Sequence, residues 1–291
     1  MITNFPYGIA TFLTALDPGK FLPTGNVFFV DSGTGSDNND GSLETPFATI
    51  DYAIGKCTAS NGDYILVFPG HTETVTSSIT VDVIGVSIVG LGSGKLRPAL
   101  TCNAAIDAMT VTAANVSIHN LYFPASTLTG VTSRINVAAA NCKIKDCLFL
   151  CGQYDLESIT VTADGDDLQV LDSQWIVTAN GPDAAIEIEG TTDGIIVRNC
   201  FFNGGNDTNA WDAGAINSGQ AHTNCLIDSN IFLFGPGITF TTTAKGLIKD
   251  NAFGEGTLGS MLDPGSCMCI KNYEADAIDE SGRLFPTGTA S

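Results

Sequence analysis

The stretch VSIHNLYF at residues 116–123 returns as CKIKDCLF at 142–149, LQVLDSQW at 168–175 and IIVRNCFF at 195–202. Weaker copies are CLIDSNIF at 225–232 and GLIKDNAF at 246–253, and a degenerate opening copy, VSIVGLGS, starts at Val86. The shared pattern is apolar, any, apolar, any, Asn or Asp, any, apolar, aromatic. Period-2 apolar alternation recurring every 20 to 30 residues or so marks a β-solenoid. A short strand cannot bury an apolar face alone, so successive coils stack and pair their backbones. Like then lies on like. Ile118, Ile144, Val170, Val197, Ile227 and Ile248 form one aliphatic column, and Phe123, Phe149, Trp175, Phe202, Phe232 and Phe253 an aromatic one. Between them Asn120, Asp146, Asp172, Asn199, Ser229 and Asp250 fall where the chain bends, a position where Asn and Asp tolerate unusual backbone angles. The expected fold is all-β, a right-handed single-stranded parallel β-helix.

A second strand precedes each copy: Ile135-Asn136-Val137, Ile159-Thr160-Val161, Ile186-Glu187-Ile188, Gly214-Ala215-Ile216 and Ile238-Thr239-Phe240. The open ends of a solenoid expose strand edges and need caps. Phe47, Ile50, Ala53, Ile54 and Cys57 have helical spacing, which predicts a capping helix near 47–59. The division expected is an N-terminal arm over 1–26, the β-helix over 27–253 and a non-repeat cap or tail over 254–291.

The 291 residues are 44% hydrophobic and 15% charged, which permits a large dry interior. Lys and Arg total 12 against 31 Asp and Glu, a formal charge of −19. Such a surface repels phosphates and anionic lipid, so neither nucleic acid nor membrane is an expected partner. No stretch approaches the ~20 apolar residues of a membrane helix, and residues 8–16 make a poor signal peptide. Nine cysteines have neither zinc-ribbon nor disulfide-knot spacing, and most read as buried small hydrophobes.

Carbohydrate cleavage on a β-helix needs paired carboxylates, or a carboxylate cluster beside a base, on an exposed sheet. The outward column of the second strand reads Thr110, Asn136, Thr160, Glu187, Ala215 and Thr239, with a single carboxylate and no base. Glu157, Asp183, Glu189 and Asp212 fall near coil ends and read as solvated surface. The outward column of the motif strand is His119, Lys145, Leu171, Arg198, Asp228 and Lys249, a basic stripe in an acidic protein. His71, His119 and His222 lack partners at triad or metal spacing, and the Asp31 to Asp40 loop departs from an EF-hand. No catalytic residue, cofactor or metal is expected. Candidate interface residues are Phe5, Phe12, Leu13, Leu16 and Phe21 in the apolar arm, and Lys145, Arg198 and Lys249 in the stripe. Cys267 and Cys269 join them as the thiols best placed for an intermolecular bond. Cys147 and Cys200 are expected to point outward.

Residues 27–54, VFFVDSGTGSDNNDGSLETPFATIDYAI, resemble the opening of pectate-lyase-like β-helix proteins. Val30-Asp31, Gly35-Ser36-Asp37, Asp40-Gly41-Ser42 and Pro46-Phe47-Ala48-Thr49-Ile50 carry the likeness, with Val67 to Glu73 and VDVIGVSIVGLGSG at 81–94. Together with the two non-repeat ends the chain looks most like β-helix proteins of bacteriophage virions. That resemblance implies a non-enzymatic capsid decoration protein, made in the host cytoplasm and carried on the particle surface. Its implied partners are two further copies in a homotrimer and the major capsid protein or other virion proteins. The alternatives are a tail spike or carbohydrate-cleaving enzyme, a polysaccharide lyase or hydrolase, and a non-catalytic receptor-binding fibre.

Overall fold

The computed structural model describes residues 25–179, 181–206, 210–254, 261–276 and 279–284, with side chains as far as residue 273. The arm bearing Phe5, Phe12, Leu13, Leu16 and Phe21 lies outside the described residues. The described chain winds through three sheets of ten, eight and ten strands. Each coil visits sheet 2 (eight strands, from Ile79–Val81 to Leu262–Pro264), then sheet 1 (ten, from Val27–Val30 to Met268–Ile270). It then passes to sheet 3, whose ten strands run from Thr72–Val75 to Asp279–Leu284. This is a parallel β-helix, as the repeat implies.

Register agrees with the aligned columns. Ile118, Ile144, Val170, Val197, Ile227 and Ile248 are successive partners in sheet 1, and all are at most 1% exposed. Phe123, Phe149, Trp175, Phe202, Phe232 and Phe253 stack with ring centroids 4.7–4.9 Å apart and planes within 11°. That spacing is the rise of one coil, so the stack follows from the backbone ladder. Each such aromatic pair contributes about 0.5–1.5 kcal/mol beyond area burial.

The Asx position divides the motif into two strands in different sheets. Asn120, Asp146, Asp172, Asn199, Ser229 and Asp250 have φ between 51° and 58°, and only small polar residues or Gly visit this region at low cost. The left-handed residue also reverses facing, so the next side chain turns inward. Cys147 and Cys200 are therefore 1% and 2% exposed, buried rather than outward as strict alternation predicts. The same column ends in Asn230, Asn251 and Asn272, all buried. Their amides donate to the carbonyls of Val197, Ile227 and Ile248 at 2.9–3.0 Å. Their side-chain oxygens accept the backbone N–H of Cys200, Asn230 and Asn251. Asn251→Leu strands the Asn230 N–H, and should cost roughly 1–3 kcal/mol. Urea unfolding measures this, and a midpoint equal to that of the unsubstituted chain would contradict the ladder.

At the front, the helix covers only Ile50–Ile54, shorter than the 47–59 expected. Phe47 is held instead in a parallel bridge to Val30, its N–H donating to Phe29 O and its carbonyl accepting from Asp31 N. Asp37 accepts from the N–H groups of Ala48 and Thr49, and Thr49 Oγ1 caps Tyr52 N. Ile50, Ala53 and Ile54 face the first coil and are buried.

At the back, the solenoid does not stop at residue 253. Leu262–Pro264, Met268–Ile270 and Tyr273–Asp276 pair in parallel with the coil before. Sequence alternation missed this coil because Cys269 stands where each copy of the repeat before it has Ile or Val. Asp279–Leu284 then turns back antiparallel on Tyr273–Asp276 and covers that edge of sheet 3.

Candidate active site

The outer face of sheet 2 is a column eight residues long: Thr80, Thr110, Asn136, Thr160, Glu187, Asn217, Thr239 and Asp263 are successive partners. Asn217 replaces the Ala215 of the sequence alignment. Ile216 opens its triplet instead of closing it, and Ala215 is fully buried. Eight coils at ~4.8 Å span about 34 Å, and every group on the ladder can hydrogen-bond. None of the eight strands contains Lys, Arg or His.

Beside this column lie the acids that the sequence left scattered. Glu157 heads its strand as the partner of Ala184, so Asp183 sits one residue away on the next coil. Glu187 is three residues further along that coil and Glu189 two beyond it. Asp107, two coils before Glu157, accepts from Thr132 Oγ1, Ser133 Oγ and Asn136 Nδ2 at 2.5–2.8 Å. The Asn217 amide reaches both Glu187 oxygens, at 2.8 and 3.0 Å.

This neighbourhood controls protonation. Burial raises the Glu157 carboxyl first, and the negative charges of Asp183, Glu187, Glu189 and Asp107 add to it, holding it at about 7. Every charge acting on it is a carboxylate. Glu187 is also raised, mainly by burial, with the Asn217 hydrogen bond opposing. Because the folded state then binds more protons than the unfolded chain, stability should fall as pH rises from about 4.5 to about 7. Glu157→Gln should flatten that part of the curve in thermal melts taken across the range. An unaltered slope would place the shift elsewhere.

Other charged groups have structural partners. Arg134 and Asp155 form a buried ion pair, and Asp155 also accepts from Gly152 N and Ser126 N. His71 is buried, its Nδ1 accepting from Ser32 N and its Nε2 meeting Glu73, which in turn accepts from Ile50 N. In the Asp31 to Asp40 loop Asp31 and Asp40 accept from their own turns, and Asp37 from Ala48 and Thr49. Asp40 is held down to about 2, first by the Thr45 hydroxyl.

The basic stripe has the expected register on sheet 1, and its cations are engaged within the chain. Lys145 lies 3.6 Å from both Asp146 and Asp172, Arg198 3.0 Å from Asp228, and Lys249 3.1 Å from Asp228 and 3.2 Å from Asp250. Cys267 and Cys269 are buried, 9% and 7% exposed. Cys269 continues the aliphatic column and Cys267 meets Cys225 at 3.7 Å, so both are engaged inside the last coils. His222, without a partner in the sequence reading, stands beside these two thiols. The winding brings residue 267 back to residue 225, a neighbour that sequence spacing does not reveal.

No protein-family profile and no curated protein matches this sequence. Among solved structures, a rhamnogalacturonan lyase is similar at 13% identity over 90% of both chains, with a TM-score of 0.54. A pectate lyase is similar at 13% identity over 86% of this chain and 77% of that one, with a TM-score of 0.54. A lacto-N-biosidase from Eubacterium ramulus is similar at 10% identity over 86% of this chain and 56% of that one, with a TM-score of 0.52. Identities this low show the fold, and the chain has the pectate-lyase-like parallel β-helix. The expectation of a chain without enzymatic activity does not stand. These neighbours are carbohydrate-active enzymes, and the acids taken for isolated surface charges converge on one sheet.

Proposed function

We propose that the chain is a carbohydrate-cleaving β-helix enzyme that hydrolyses a neutral polysaccharide laid along the outer face of sheet 2. The observation that carries this reading is Glu157, a carboxyl held at about 7 by burial first and by neighbouring carboxylates second, beside a polar ladder. An acid protonated near neutral pH is what departure of a glycosidic oxygen needs. Glu157 donates its proton to that oxygen as the C–O bond breaks. Glu187, oriented by Asn217, takes a proton from the water that attacks the anomeric carbon. Their three-residue offset on adjacent coils puts the α-carbons roughly 11 Å apart. Side chains leaning together can close this to the ~6.5–9.5 Å of inverting hydrolases. The face favours a hydrolase over a lyase, because its strands supply no Lys, Arg or His to act as base or to neutralise a uronate. Its negative charge also disfavours acidic glycans.

The test is turnover of neutral and uronate-containing bacterial surface glycans. Reducing ends released from a neutral glycan are expected. Unsaturated sugars released from a uronate glycan would overturn hydrolysis in favour of elimination.

The resemblance carried by the two non-repeat ends together with the β-helix opening supports placing this activity on a bacteriophage particle, in a homotrimeric tail spike bound to other virion proteins. A closed ring of three leaves no free interface, although −19 per chain opposes association. Light scattering of the purified chain should give three times the monomer mass, and a monomer at micromolar concentration would remove intrinsic trimerisation.

A further inference from the structure

The inward column immediately preceding the sheet 1 core residues runs Val86, Val116, Cys142, Leu168 and Ile195, then changes to Cys225, Gly246 and Cys267 in the last three coils. Cys225 and Gly246 are register partners, and Cys267 precedes Met268, the partner of Leu247. Backbones two coils apart are roughly 9.6 Å apart, yet the two sulfurs lie 3.7 Å from each other. The missing side chain of Gly246 makes this possible, since a Cβ there would collide with Cys225 Sγ and its backbone.

His222 completes the group. It is 1% exposed and stands edge-on to Phe240, with centroids 4.6 Å apart. Its Nδ1 lies 3.2 Å from Ser218 Oγ, which is also within reach of the Ile188 carbonyl. With that hydroxyl donating to the carbonyl, Nδ1 carries the proton and Nε2 keeps its lone pair. Nε2 is buried without a hydrogen-bond partner. One ligand atom from each of His222, Cys225 and Cys267 lies within 4.8 Å of the others.

We propose that His222, Cys225 and Cys267 form a binding site for one thiophilic d10 metal ion, with Zn2+ the first candidate. Two thiolates bound tetrahedrally at about 2.3 Å stand about 3.8 Å apart, matching the sulfur separation here. A structural imidazole ligand characteristically has its other ring nitrogen fixed by an outer hydrogen bond, the place Ser218 takes. The thiols are electronically unequal. The Cys267 thiol donating to Cys225, helped by His222, outweighs the opposing effect of burial and leaves Cys225 the more readily ionised of the two. Bound ion would tie the coil of Cys225 to the coil of Cys267 across the one between, bracing the C-terminal end of the solenoid. Each thiol that binds releases its proton to solvent.

The 291-residue chain, reduced and stripped with chelator, should take up one equivalent of Co2+ with a thiolate-to-cobalt charge-transfer band, lost on adding Zn2+. Cys225→Ser and Cys267→Ser should each abolish the band. In the unsubstituted chain, Zn2+ should protect Cys225 and Cys267, two of the nine cysteines, from alkylation in peptide mapping, which stays decisive if a variant fails to fold. A folded reduced chain that gives neither band nor protection would overturn the proposal. So would protein purified without reductant that holds a Cys225–Cys267 disulfide and no metal.

Discussion

Glu157→Gln is expected to lower turnover of the neutral glycan on the order of 10²- to 10⁴-fold, the range that a positioned general acid supplies. KM should change little, because the amide fills the same space and still hydrogen-bonds to a sugar oxygen. The remaining activity should lose its alkaline limb. In the unsubstituted enzyme that limb falls as pH rises through about 7, where Glu157 gives up its proton. Glu187→Gln should remove the base and abolish the acid limb instead. Asp183 and Glu189 act on Glu157 through charge alone. Replacing either by its amide should therefore move the alkaline limb to lower pH and leave the maximal rate largely intact. A Glu157→Gln enzyme with full turnover would remove the acid from the mechanism.

Ile144→Asp is expected to prevent folding. Ile144 is 1% exposed, between Ile118 and Val170 in the continuous aliphatic column, and the described neighbours in that column offer no group to pair a carboxylate. Loss of the apolar contact and burial of an unpaired charge together cost about 5 kcal/mol or more. That is comparable with the ~5–15 kcal/mol that holds a typical domain together. The adjacent Lys145 faces out, and its ion pairs with Asp146 and Asp172 are exposed. Lys145→Ser should then change stability by no more than about 1 kcal/mol. Circular dichroism on the two variants reads the register directly, and similar melting of both would put the strand one residue out of phase.

The architecture was legible in the sequence because period-2 alternation and the bend, mostly Asn or Asp, recur through residues 116–253, so one reading corrects the next. It weakened where a single residue substitutes for the pattern. Cys269 hid the last coil, and an Ile216 shared by two possible registers misplaced Ala215 for Asn217. The inward turn after a left-handed residue was also missed, although Asn230, Asn251 and Asn272 at equivalent positions were a usable signal. The acidic site was not legible for a different reason. Glu157, Asp183 and Glu187 belong to coils of unequal length, and only the register Glu157 to Ala184 sets them side by side. Their effect on one another is a property of distance and burial, which a residue list does not carry. The same holds for His222, Cys225 and Cys267, brought together by a glycine whose role is the absence of a side chain.

The proposed chemistry requires one sheet face to keep a carboxylic acid protonated near neutral pH. Carbon-detected NMR of the Glu157 side-chain carboxyl, in protein labelled at glutamate and assigned with Glu157→Gln, measures this without any substrate. The expected titration midpoint is about 7. A midpoint at the ordinary glutamate value of about 4.3 would contradict it.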